Sequence, residues 1–82
     1  MKDSLFRKFC NTLPVWTKSF DKLYNTTRYL SDLLKRGGYA SGSRELKTIR
    51  KILEDMDKIE DTMHLLVRSV EINQGKRCRD LQ

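Results

Sequence analysis

Arg36-Gly37-Gly38-Tyr39-Ala40-Ser41-Gly42-Ser43 holds three of the four glycines of this chain, and it separates two runs that share one apolar period. Ahead of it, Phe6, Phe9, Leu13, Trp16, Phe20, Leu23, Thr27, Leu30 and Leu34 step by three and four. Behind it, Leu46, Ile49, Leu53, Met56, Glu60, Met63, Val67 and Val70 do the same. A stripe of that period is one side of a helix that is buried against another helix. Two such stripes joined by a short polar loop predict an all-α fold, an antiparallel helical hairpin of coiled-coil type. The boundaries expected are helix over 13–36, loop over 37–42, helix over 43–73 and a basic tail over 74–82, within a single domain spanning 1–82.

Local signals agree with those boundaries. Lys35 and Arg36 suit the negative end of the first helix dipole, Gly37 suits a left-handed cap, and Ser41 or Ser43 is the expected N-cap of the second helix. Gly75 is expected to end the second helix and to leave the tail frayed. Residues 3–12 also read as helical but precede Pro14, which favours the start of a helix over its interior. The expectation is a short N-terminal third helix, with a kinked continuous helix as the other reading. If Arg36 lies opposite Ser43, antiparallel pairing sets Trp16 against Met63 and Phe9 against Val70, apolar against apolar.

Two helices in 82 residues, with 38% apolar content, bury too little to offset chain entropy comfortably. Other helical chains, in a homo- or hetero-oligomer, are therefore expected to complete the hairpin into a bundle. Candidate partner-binding residues are the large side chains Phe6, Phe9, Trp16, Phe20, Tyr24 and Val70, together with Leu65 and Ile72, which lie off the main stripe. With Leu66, Val67 and Val70, those last two make the end of the second helix apolar nearly all round. A helix of that kind is covered on more than one side.

The net charge of +6 is unevenly spread, with eight Lys/Arg against three Asp in residues 1–36, six against seven in 43–73, and three against one in 74–82. Lys18, Lys22, Arg28, Lys35 and Arg36 fall off the core stripe and form the candidate anion-binding set. A cationic stripe beside Tyr29 is compatible with nucleic-acid backbone, and less so with an anionic membrane surface. A solvated coat is the plainer reading of the same charges.

Catalytic and ligand motifs are lacking. No P-loop, dinucleotide fingerprint or nucleophile elbow occurs, and one histidine with two distant cysteines fits no zinc pattern, so neither cofactor nor metal is expected. The start, Met1-Lys2-Asp3-Ser4-Leu5-Phe6, lacks the apolar core of a signal peptide, and charges interrupt every window long enough to span a membrane. Cys10 and Cys78 are too few for a disulfide framework, so reduced thiols and an intracellular setting, cytoplasmic or nuclear, are expected. Pairing of the two would require the tail to fold back along the hairpin. The Asn25-Thr26-Thr27 sequon carries no weight without secretion. The expectation is a non-catalytic helical assembly subunit, with a small basic DNA- or RNA-binding factor that dimerises through the hairpin as the alternative.

Overall fold

The computed structural model describes residues 3–81. Two long helices, α1 (Asp3–Arg36) and α2 (Arg44–Gln74), lie antiparallel, and a single 3-10 turn at Cys78–Leu81 follows them. The hairpin is a rod of 53 × 18 × 15 Å.

The connection works through backbone geometry. Gly38, at φ +94°, takes the left-handed position that ends α1. Its N–H donates to the Lys35 carbonyl and the Tyr39 N–H donates to that of Leu34, which closes a Schellman pair. The cap thus falls one residue later than the expected Gly37. Ser43 opens α2, its side-chain oxygen accepting from the Leu46 N–H at 3.3 Å. Gly75, at φ +66°, ends α2 in the same way as Gly38 ends α1, with the Gly75 N–H on the Ile72 carbonyl and the Lys76 N–H on that of Glu71.

Pro14 does not start a helix. It lies inside α1, which runs through it from Asp3 to Arg36, so the expected separate N-terminal helix is absent. An interior proline removes one backbone bond and costs about 3 kcal/mol. Here Phe6 and Cys10 on one side, and Leu13 and Phe20 on the other, all pack inward, and their burial holds the chain helical across the exposed ring. The third element lies at the opposite terminus. The tail beyond Gly75 docks as the Cys78–Leu81 turn instead of fraying.

Docking is covalent. Cys10 and Cys78 form a disulfide with their Cα atoms 5.2 Å apart, against the expectation of reduced thiols. Around the bridge, Phe6 is 1% exposed, and Phe9, Leu13, Val70 and Leu81 pack against it. Two polar contacts hold the return of the tail: the Cys78 N–H donates to Glu71 Oε2 at 2.8 Å, and Lys76 Nζ lies 2.7 Å from Asp3 Oδ1. The hydrogen bond and charge of Lys76 hold the Asp3 carboxyl below its ordinary range.

The rotation of α1 about its axis differs from the sequence expectation. The column Phe6, Leu13, Phe20, Thr27 and Leu34 faces α2 as expected, but the second inward column is Cys10, Tyr24 and Ser31. Trp16, Leu23 and Leu30 point outward at 37%, 59% and 49% exposure. Cys10 clusters with Val70, Thr17 lines one cleft with Met63, and Ser31 lines another with Ile49. Phe9 packs in the same cluster as Val70, and Trp16 lines the same cleft as Met63, so these two expected pairs still meet; toward the loop Ser31 stands beside Ile49 where Leu30 was expected, a shift of one residue or about 100° of helix rotation. Small side chains at Cys10 and Ser31 let the helices approach, and the bridge requires Cys10 to face the tail. Thr27, buried, donates its hydroxyl to the Leu23 carbonyl at 2.8 Å, so this polar core position is satisfied within its own helix.

The bridge closes a separation of 68 residues, for which chain-entropy arguments give about 4 kcal/mol. Reduction, or Cys78→Ser, is expected to lower the melting temperature markedly and to release the Cys78–Leu81 turn, read as loss of amide-exchange protection there. An unchanged melt would show that the tail contributes nothing to the fold. Asp3, with its pKa depressed, adds stability that is present above the ordinary carboxylate pKa and is lost as pH falls through its folded value. Because both groups are solvent-exposed the contribution is small. Lys76→Met should return the Asp3 titration, followed by NMR, to the ordinary range.

Candidate partner-binding surface

The residues expected to meet a partner divide into three sets. Phe6 is enclosed within the terminal cluster, and Phe9 and Val70 are half-buried against it, so they serve the internal fold. Phe20 and Tyr24 are half-buried along the seam. Trp16, Leu65 and Ile72 reach solvent, the last two at 70% and 66% exposure. The segment 3–12 does not cover Leu65 and Ile72: it supplies Phe6 and Cys10 to the bridge cluster, and Leu5 is itself exposed.

A larger apolar surface follows from the rotation of α1. Helical geometry places Trp16, Leu23 and Leu30 one heptad apart on one flank of the seam. On α2, Ile52, Ile59 and Leu66 form a heptad column flanking the seam, at 43%, 51% and 48% exposure. An antiparallel pair has a pseudo-twofold axis normal to the plane of its helices, so equivalent flanks lie on the same side. Both columns therefore occupy one long face of the rod, at matched levels: Trp16 with Leu66, Leu23 with Ile59, Leu30 with Ile52. The sequence offered the signal for the α2 column, which lies beside the main stripe, but assigned the α1 column to the internal seam.

The opposite flank is charged. Arg28 and Lys35 of α1 lie on it with Arg50, Asp57, His64 and Glu71 of α2. Lys18, Lys22, Arg28, Lys35 and Arg36 are all exposed, and no ion pair among the described residues involves them. Lys35 and Arg50 line one cleft with Ser31 and Ser41, so the basic set gathers a member from α2 that the sequence reading did not include. His64 Nε2 stands 3.8 Å from Glu60 Oε1, and both line a cleft with Trp16, Phe20 and Met63, so Trp16 lies at the seam between the two flanks and not wholly on the apolar one. That cleft holds about 210 Å³, below the ~300 Å³ at which ligand pockets begin.

Among the described residues no cluster of three or more His, Cys, Asp or Glu side chains is placed to hold a metal ion, and no helix is long and apolar enough to cross a membrane. No family model, curated protein or solved structure matches this chain.

Proposed function

We propose that this chain is a non-catalytic assembly module that binds helical protein chains through the exposed flank of its hairpin. The observation that carries the reading is the outward turn of Trp16, Leu23 and Leu30 beside Ile52, Ile59 and Leu66. Large side chains repeating once per heptad along two adjacent helices have the period and shape that another helix pair fills. The thin interior supports it further: among the described residues only Phe6, Cys10, Thr27, Leu46, Met56 and Cys78 are buried, so much of the apolar content is free for a partner. Mechanistically, the disulfide locks the rotation of α1 and presents a preorganised face, which lowers the ordering cost of association.

The bridge also supports an oxidising setting for the protein, since such bonds persist where thiols are not kept reduced. The cysteine-based part of the intracellular expectation assumed reduced thiols, whereas Cys10 and Cys78 are bridged.

A second reading, nucleic-acid or other polyanion binding, draws on the Lys35–Arg50 cleft and the neighbouring cations. The two readings separate by salt and by charge reversal. With K18E, K22E and R28E combined, assembly measured by sedimentation is expected to survive, because exposed charges contribute about 0–1 kcal/mol each. It is also expected to persist as salt is raised. Wild-type affinity for nucleic acid in a gel shift that falls steeply with salt and vanishes in this variant would overturn the assembly reading in favour of the second.

A further inference from the structure

The loop end of the hairpin is a cationic tip, and we propose that it binds a linear sulfated polysaccharide across two neighbouring clefts. Polyanion binding is thereby moved to the end of the rod and given a named class, resting on the second reading above and leaving the assembly reading as it stands.

Charge is segregated along the rod. Residues 28–51, the loop with the turns on either side of it, hold seven Lys/Arg against two acids, so +5 of the chain's net +6 lies there. The next ten residues, 52–61, hold Glu54, Asp55, Asp57, Glu60 and Asp61 against Lys58 alone. Thr17 and Asp21 line a cleft with Glu60, so Lys18 and Lys22 stand at the level of that acidic stretch. Of the cations expected from the sequence, only Arg28, Lys35 and Arg36 belong to the tip. The tip gains Arg44, Lys47, Arg50 and Lys51 from α2.

Lys35 and Arg50 line one cleft with the side chains of Ser31 and Ser41. Arg44, Lys47 and Lys51 line the other, beside Thr48 and Ile52. These three recur at steps of three and four, so they stack along one side of α2 over about 10 Å. Helical rotation leads from Arg50 through Lys47 to Lys51 and Arg44, which joins the two clefts into one basic face. No carboxylate lines either cleft, and the two acids of the segment, Asp32 and Glu45, are exposed outside them. Among the described residues Lys35, Arg36, Arg44, Lys47 and Arg50 enter no ion pair, and Lys51 has only the exposed Asp55 at 3.7 Å. Cations gathered this closely repel one another, and an anion supplied from outside relieves the repulsion.

A row of cations one helical turn apart suits a chain whose anionic groups recur closely. No aromatic ring lines either cleft, so unstacked bases find no platform there. The Cys10–Cys78 bridge supports an oxidising setting, and proteins of the cytosol and nucleus rarely carry one. Both observations count against nucleic acid. The cations pass from the flank to the outer side of α2 instead of framing one apolar face for insertion, which counts against a membrane surface. A sulfated glycan chain, held by charge and hydroxyl contacts alone, fits all of these.

The test is calorimetric titration of the full chain, its bridge intact, with heparin as the probe at about 0.15 M salt. Desulfated heparin, double- and single-stranded DNA and anionic phospholipid vesicles are titrated beside it. Heparin is expected to bind roughly tenfold or more tighter than any of these, with an affinity that falls as salt is raised. Lys35→Gln with Arg50→Gln, and Lys47→Gln with Lys51→Gln, should each weaken heparin by roughly tenfold and flatten the salt dependence. Lys18→Gln with Lys22→Gln should leave it unchanged. Glutamine keeps the helix propensity of these exposed positions, which circular dichroism checks. No heparin binding, equal binding of desulfated heparin, indifference to both cleft variants, or an equal loss in the Lys18 and Lys22 variant overturns the proposal. DNA bound as tightly as heparin also overturns it and leaves the nucleic-acid reading standing. Vesicles bound as tightly overturn it in favour of a membrane surface. If no polyanion binds, the proposal and the second reading fall together, while assembly is read separately by sedimentation.

Discussion

The bond between Cys10 and Cys78 joins the two ends of the described chain, 68 residues apart, and the rest of the arrangement follows from where it forces Cys10 to point. A helix is stiff in rotation, so turning Cys10 toward the tail turns every residue seven positions on. Tyr24 and Ser31 follow it to the seam side, while Leu23 and Leu30 are carried to the outside and Trp16 is left at the edge of the seam. The bridge also gathers Phe6, Leu13, Val70 and Leu81 into one dense cluster. Without it, the hairpin would have two thin ends and a free choice of which column to bury.

That rotation produces a molecule with two unlike flanks. One carries the apolar columns; the other holds Arg28, Lys35 and Arg50 with Asp57, His64 and Glu71 of α2. Spending the small residues Cys10 and Ser31 on the internal seam, and leaving the large ones outside, runs against the stability of the isolated hairpin. The arrangement becomes economical when the outer column is itself covered. The polar details are those of a finished fold all the same: Thr27 is satisfied by Leu23, and no buried side-chain polar atom among the described residues lacks a partner.

Much of this was legible in the sequence. The 3-4 stepping, the glycine-bearing break, Ser43 as cap and Gly75 as stop dictate two long antiparallel helices, because helix period and cap chemistry are local properties of the chain. The basic character of α1 is likewise composition. Pro14 misled because its local preference was weighed without the burial on both sides of it. The tail misled because its tether is not local.

What only the tertiary structure decided is which side of α1 faces inward. The column Phe6, Leu13, Phe20, Thr27 and Leu34 belongs to a seam with either of its neighbours, Phe9–Trp16–Leu23–Leu30 three residues on or Cys10–Thr17–Tyr24–Ser31 four residues on. Both satisfy the heptad, and hydropathy favours the first. The observed choice is the second, because a covalent bond at one end and close approach of small side chains outweigh the greater apolarity of the alternative. Periodicity along a chain reports how wide an apolar stripe is; contacts distant in sequence report which part of it is core and which part is surface.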